Sequence, residues 1–297
     1  MPDTDHRLAL DAPAKINLYL HVTGRRDDGY HLLDSLVAFS EHGDRLTVEP
    51  AEELSLRIGG AFAGGLAADR DNLILRAGRA LQEAFGVRQG AALTLEKNLP
   101  VSSGIGGGSA DAAAALRLLA EHWGIDDDQE WLAEVGLQMG ADVPVCLAST
   151  TSQMTGIGEI VEQAGPLPPC GVVLVNGGEG VSTPSVFAAR KGPYSTPPAW
   201  QAAHDFEGFA RALKDRSNGL ALAAQTISPV ISDVLTALEE TEGCALARVS
   251  GSGGTCFGLF ADPTLAQAAA GDISTRYPQW WSVATRFRAG RPEITTG

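Results

Sequence analysis

The run Pro100-Val101-Ser102-Ser103-Gly104-Ile105-Gly106-Gly107-Gly108-Ser109-Ala110-Asp111 passes straight into the apolar stretch Ala112 to Leu119, and it constrains the fold more than any other part of the chain. Four glycines in the five positions 104–108 remove Cβ atoms and permit positive φ, so that successive N–H groups can converge on one point. The alanine-rich stretch reads as a helix whose first N–H groups and positive dipole end adjoin the loop. Such a junction suits a polyphosphate. No lysine follows the glycines, as Gly-x-x-x-x-Gly-Lys-Ser/Thr requires, and the spacing does not fit Gly-x-Gly-x-x-Gly. The loop is therefore a phosphate cradle of another lineage. A plain turn, the other reading of a glycine run, rarely needs so many glycines against a long helix.

The length of 297 residues allows one large or two medium cores, and 44% hydrophobic with 20% charged residues is ordinary for a globular chain. No apolar run approaches the ~20 residues of a membrane span. The start, Met1 to His6, is acidic and polar where a signal peptide is basic and then apolar, so a cytoplasmic protein without a membrane partner is expected. Cys146, Cys170, Cys244 and Cys256 are scattered without Cys-x-x-Cys spacing and read as buried thiols in a reducing compartment. A net charge of −14 argues against nucleic acid as a partner. It also means that a phosphate site must be built locally, from a helix N-terminus, Mg²⁺ and a few cations, with Lys15, Arg25 and Arg26 as candidates. For the arginine pair an ordinary solvated turn is at least as good a reading.

Patterning predicts an α+β arrangement. Leu8 to Leu20, continuing toward Val22, alternates like a strand; Arg45 to Pro50 and Glu53 to Ile58 read as further strands. Asp71 or Asn72 caps a helix to about Phe85 that buries Leu73, Leu75, Ala77, Ala80, Leu81 and Ala84, and Ala92 to Glu96 is a strand leading to the loop. Asp126 to Asp128 start a helix stopped by Gly140, in which Leu132, Val135 and Met139 share a face; a short buried strand, Val143 to Leu147, follows. Beyond residue 150, helices are expected over 199–213, 231–238 and 264–270, with strands at 172–175, 247–250 and 256–260. A division into domains 1–160 and 161–297 is expected from the glycine- and proline-rich connection around residues 156–169.

Ala12-Pro13-Ala14-Lys15-Ile16-Asn17-Leu18, the Pro100 to Ala110 loop and Gly251-Ser252-Gly253-Gly254-Thr255-Cys256 resemble, in order and spacing, the three motifs of the GHMP kinases, which include galactokinase, homoserine kinase and mevalonate kinase. Within that superfamily Gly24-Arg25-Arg26-Asp27-Asp28-Gly29-Tyr30-His31 and Gly140-Ala141-Asp142-Val143-Pro144-Val145 resemble one branch, whose acceptor is methylerythritol carrying a cytidine diphosphate. The likeness spans about residues 10 to 260. It implies a ribosomal protein S5 domain 2-like N-terminal half, a ferredoxin-like C-terminal half, ATP with Mg²⁺, and phosphorylation of a 2-hydroxyl on the non-mevalonate route to isoprenoid precursors. Another GHMP kinase, of homoserine or mevalonate type, and a non-catalytic nucleotide sensor on the same fold are the alternatives.

An alcohol acceptor needs a base and cations to stabilise the transferring phosphoryl group. Lys15 lies in an apolar strand where a lone ammonium is costly to bury, so it calls for an anion; a lysine snorkelling at a strand edge is the weaker reading. Asp142 follows the end of a helix, a position that alone favours a turn aspartate; the resemblance makes it the catalytic base, paired with Lys15. Residues 100–110, from Pro100, Val101, Ser102 and Ser103 through Gly104, Ile105, Gly106, Gly107 and Gly108 to Ser109 and Ala110, would bind ATP. Tyr30, His31 and Phe187 are the candidates for the cytidine end, since aromatic faces stack on a pyrimidine and an imidazole reads its polar edge. Core packing is the commoner fate of any one such residue, and it is the resemblance of Gly29-Tyr30-His31 that implies the ligand role, for Tyr30 and His31 more than for Phe187. Asn17, Gly251, Ser252 and Gly253 complete the substrate side, Asn17 through the erythritol chain or Asp142. One departure stands out: Asn218-Gly219-Leu220-Ala221 occupies the place of Asn-Asp-Leu-Glu. Metal ligands are left unassigned, and Asp111 reads as well as a first-turn helix residue favoured by the dipole.

Overall fold

The structure, a computed structural model, describes residues 7–126 and 129–296. Met1 to His6 and the expected helix start at Asp127 and Asp128 lie outside the described residues. In chain order the first part holds β1 (Leu8–Arg25), β2 (His31–Ala51), β3 (Leu54–Gly59), α1 (Leu73–Phe85), β4 (Gly90–Glu96), α2 (Gly107–Trp123), α3 (Gln129–Met139), α4 (Val143–Ala148), β5 (Ser152–Gly156) and β6 (Ile160–Gln163). There follow β7 (Gly171–Asn176), α5 (Thr183–Ala189), α6 (Phe206–Lys214), α7 (Ala221–Ile227), α8 (Val230–Glu239), β8 (Cys244–Val249), β9 (Thr255–Phe260), α9 (Pro263–Arg276), β10 (Trp281–Thr285) and β11 (Thr295–Thr296).

Two sheets result. The first is seven-stranded, β11-β1-β2-β4-β3 with β5 on the early half of β2 and β6 on β5; the second is β10-β7-β9-β8. Against an expected division at residue 160, hydrogen bonding passes from the first sheet to the second between Gln163 and Gly171, and β11 returns to the first. The sheets pack face to face through Ala14, Ile16, Leu18, Leu36 and Ala38 on one side and Val172, Leu174, Phe257 and Leu259 on the other. The other face of the first sheet carries α1 to α4, while α7 to α9 cover the second. β1 is thus buried on both sides along most of its length, which is why its one lysine has to be explained.

Local chemistry accounts for the helices. Asn72 Oδ1 accepts the Ile74 N–H and Gly86 at φ 64° closes α1, at the ends the sequence predicts. Leu75, Ala77 and Leu81 are buried as expected, but Ile74 and Gly78 join them, and Ala84 is exposed. The alanines of α2 let it lie close against β1 and β2, where it is buried from Ala110 to Leu116. The expected strand Val143 to Leu147 is instead the helix α4. A short apolar run carries no period of its own, and Pro144 is tolerated in a first helical turn. The helix expected from Ala199 begins only at Phe206, where Asp205 Oδ1 caps the Gly208 N–H at 2.8 Å. Among the described residues no helix is long and apolar enough to cross a membrane. Of the four thiols, three are buried and Cys244 is half-buried.

Candidate active site

A cleft of about 1140 Å³ opens beside β1 and β2, walled by the starts of α1, α2 and α4, by α5 and by the turn between β8 and β9, with the glycine loop at one end and Tyr30, His31 and Phe187 at the other. Its loop wall is held from behind. The Ser102 carbonyl accepts the Val181 N–H (2.9 Å), the Ser103 carbonyl the Thr255 N–H (2.9 Å) and the Ile105 carbonyl the Lys15 N–H (2.9 Å). The Gly104 carbonyl accepts the Ser250 hydroxyl at 3.0 Å. With the carbonyls engaged by β1, β9 and the segments beside them, the first N–H groups of α2 remain without intrahelical acceptors. Gly106 has φ 64° and Gly104 φ 73°. A Cβ on Gly104 would stand 2.5 Å from the Gly253 and Ser250 carbonyl oxygens, and one on Gly106 3.0 Å from Lys15 Cε. Ser102 adopts φ 53° without being glycine, a strain of the kind that collects at functional sites. Close packing against the 250–253 turn and Lys15 thus requires glycine at 104 and 106, and the unengaged N–H groups at the start of α2, beside the cleft, fit a polyphosphate.

Lys15 and Asp142 meet in the middle of the cleft, Nζ to Oδ2 3.2 Å; the lysine side chain is 4% exposed and the aspartate 39%, so the carboxylate can meet a ligand while the ammonium is held behind it. Asp142 occupies the N-cap position of α4 without spending its carboxylate on a cap bond. Asn17 Oδ1 accepts a hydrogen bond from Lys15 Nζ at 3.0 Å, and Asn17 Nδ2 donates to Ser35 Oγ at 2.8 Å. The side chain of Asn17 therefore orients Lys15 rather than Asp142.

At the acceptor end the His31 and Phe187 rings stack, centroids 5.2 Å apart at 27°. Burial, with Arg25 and Arg190 nearby, lowers the His31 pKa, which favours the neutral imidazole. Tyr30 is 61% exposed. Arg25 donates to the Gly29 carbonyl and Arg26 pairs with Asp28 (2.8 Å), so both arginines serve the turn that presents Tyr30. Gly251 and Ser252 line the cleft, and Ser252 Oγ meets Thr183 Oγ1 at 2.7 Å. Three expected positions do not face it. Ile105 and Ala110 are buried in the two cores flanking β1, and Gly253 (φ 97°) lies against Ala224 and Ile231. Within a contiguous loop some residues must point inward to anchor it.

Patterning missed the buried group beneath the loop. Lys97 Nζ lies 2.5 Å from Asp44 Oδ2 and 2.7 Å from Asp111 Oδ2. Asp44 Oδ1 also accepts the Asn98 and Leu99 N–H groups at 2.6 and 2.8 Å. Burial works to lower the Lys97 pKa, but the Asp111 and Asp44 carboxylates outweigh it and the net direction is upward. Asp111 is pushed up to about 8, by burial first and then by Asp44, against the pull of Lys97; its Oδ1 has no hydrogen-bond partner among the described residues. Asp111 is also one turn further into α2 than the dipole reading supposes. The one available signal was a lysine three residues before Pro100.

Among the described residues no group of three or more His, Cys, Asp or Glu side chains could hold a metal. The donors present fit an Mg²⁺ carried by phosphate oxygens and water, with Asp142 the exposed carboxylate nearest the loop-side lysine.

Residues 72–150 match the GHMP kinases N terminal domain and residues 199–279 the GHMP kinases C terminal domain. A 4-diphosphocytidyl-2-C-methyl-D-erythritol kinase of Paramagnetospirillum magneticum is 52% identical over 274 residues, 92% of this chain and 96% of that protein. A crystal structure of a 4-(cytidine 5'-diphospho)-2C-methyl-D-erythritol kinase superposes with a TM-score of 0.77 at 33% identity, covering 95% of this chain and 100% of that one. A homoserine kinase from Cytophaga hutchinsonii superposes at 0.73 with 16% identity over 99% and 98% of the two chains, a likeness of fold.

Proposed function

This chain belongs to the 4-diphosphocytidyl-2-C-methyl-D-erythritol kinases of the GHMP superfamily, and from that premise we propose how its cleft transfers a phosphoryl group from ATP to the 2-hydroxyl of the cytidine-linked acceptor. The Lys15–Asp142 pair, 3.2 Å apart between the loop and the aromatic mouth, carries the assignment. Asp142 accepts the hydroxyl proton as the acceptor oxygen bonds to the γ-phosphorus, and the bridging oxygen leaves with ADP. Lys15 faces the charge that develops on the transferring group. N–H groups at the start of α2 hold the polyphosphate, and glycines 104, 106, 107 and 108 let it approach. Ala141 and Asp142 are delivered by the turn between α3 and α4, so the base is fixed by two helices and not by a free loop.

Mg²⁺, when bound, would supply positive charge against the phosphates, which a chain of net charge −14 needs. Asp142 and the loop serines are the groups that would face its water shell. Tyr30, His31 and Phe187 hold the cytosine, and Asn17, Gly251, Ser252 and Gly253 shape the acceptor side, with Asn17 and Gly253 acting through Lys15 and the turn backbone. Remote cytidine contacts then position the hydroxyl for attack.

The test is an acceptor panel with ATP and Mg²⁺. Transfer should be fast to 4-diphosphocytidyl-2-C-methyl-D-erythritol and negligible to methylerythritol phosphate, mevalonate or homoserine. Comparable turnover of mevalonate or homoserine would sink the assignment, and nucleotide binding without any transfer would indicate a sensor.

A further inference from the structure

Ser250 stands just ahead of the Gly251–Ser252 turn, and its residue is fully buried. Its hydroxyl has two partners far apart in sequence: it accepts the backbone N–H of Asn17 at 3.1 Å and donates to the Gly104 carbonyl at 3.0 Å. The position of that hydroxyl is itself over-determined. Ser250 N–H donates to the Thr255 carbonyl and the Ser250 carbonyl accepts the Gly253 N–H, both at 3.0 Å. The carbonyls on either side, of Val249 and Gly251, are both taken by Asn218 Nδ2 at 2.8 Å. The hydrogen bonds continue past Asn17, whose Oδ1 accepts Lys15 Nζ at 3.0 Å, and Nζ lies 3.2 Å from Asp142. A connected path thus runs from the phosphate loop through one hydroxyl to β1 and on to the lysine–aspartate pair.

We propose that Ser250 is a positioning residue for phosphoryl transfer: it fixes the phosphate loop at Gly104 against β1 at Asn17, and so sets the reacting phosphoryl group in register with Lys15 and Asp142. The inference rests on the kinase reading above. Transfer in line needs the reacting atoms aligned, and a misplacement of about 1 Å costs roughly 10²-fold in rate. The loop's other anchors, at Val181, Thr255 and the Lys15 N–H, do not involve the Ser250 hydroxyl, so nucleotide binding alone should survive its loss.

In Ser250→Ala, kcat is expected to fall about 10- to 100-fold, while the Kd of a non-hydrolysable ATP analogue and the KM of the cytidine acceptor stay within about threefold of wild type. If that variant does not fold, Ser250→Cys carries the test, since a thiol keeps the shape and is a weak donor and acceptor; the same split between kcat and binding is expected. Unimpaired kcat in the folded variant, or a loss of kcat/KM that arises wholly from weaker nucleotide binding, overturns the inference alone provided that wild type transfers phosphate. Absence of transfer by wild type overturns the kinase reading and the inference with it.

Discussion

At the phosphate end of the cleft, the loop carbonyls from Ser102 to Ile105 are each held by a donor from another segment, and two glycines at positive φ leave no room for a side chain. At the acceptor end, Tyr30 is 61% exposed on a turn closed by its own Arg25 and Arg26, and Phe187 rests on His31. The first end is built like a fold core and the second like a surface. A phosphoryl donor with a fixed shape rewards preorganised N–H groups, because charge stabilisation depends on donors that need not move. A large acceptor must enter and leave, and aromatic faces tolerate small displacements that hydrogen bonds do not. Lys15 and Asp142 sit where the two regimes meet.

Breaking the junction should have the largest effect. Asp142→Asn preserves shape but cannot take the hydroxyl proton, so kcat should fall by roughly two to four orders of magnitude with both KM values little changed. Lys15→Met should cost a similar factor, and the double variant should be little worse than the poorer single one, because residues acting as a unit are not additive. Near-normal turnover in Asp142→Asn would place the base elsewhere.

The rigidity of the phosphate end is tested next. Gly106→Val puts a β-branched side chain at φ 64° with its Cβ 3.0 Å from Lys15 Cε. ATP affinity, read by calorimetry, should drop about 10- to 100-fold. Gly108 sharpens the point: a Cβ there meets only Leu73 Cδ1 at 3.8 Å, so Gly108→Ala should fold normally and any loss of ATP affinity reports the ligand itself. Unchanged affinity in folded Gly106→Val would return the loop to a plain turn. At the other end, Phe187→Ala should raise the KM for the cytidine acceptor about tenfold, the worth of a lost base–aromatic stack, and leave the Kd for ATP alone. Equal effects on both ligands would erase the distinction between the two ends.

The same contrast explains what the sequence made legible. The phosphate loop is contiguous, so glycine spacing and the following helix announce it without any neighbour. The pairing of Lys15 with Asp142 came from resemblance; from residues alone, Lys15 needed some anion and Asp142 passed for a turn residue. Asp44 lies 53 residues from Lys97, and Ser250 lies 146 from Gly104 and 233 from Asn17, distances across which no local pattern points. α4 looks like a strand in sequence because six residues with four buried apolar positions satisfy a strand as well as a helix; Asp142 at its N-cap and Pro144 in its first turn are the helix signals. Ile105 and Ala110 show the limit of reading a motif as a list of contacts, since both serve the core.

The smallest expected effect concerns the charge beneath the loop. The Asp111 carboxyl is raised to about 8, by burial first, against about 3.9 for an aspartate in an unfolded chain. A raised pKa contributes stability that is complete below the unfolded value and is lost as pH climbs through the folded one, so the window runs from about pH 4 to about pH 8. Asp44 has its two N–H donors and Lys97, which leaves Asp111 as the group that yields its charge. Asp111→Asn is neutral at every pH and can still accept from Lys97. Urea unfolding at pH 5 to 9 should therefore show wild type losing stability relative to Asp111→Asn as pH rises from 5 to about 8, with no further divergence above that. Parallel curves across the window would mean that Asp111 stays ionised and that Lys97 balances both carboxylates, making the phosphate end rigid through a fully charged cluster instead of a neutral one.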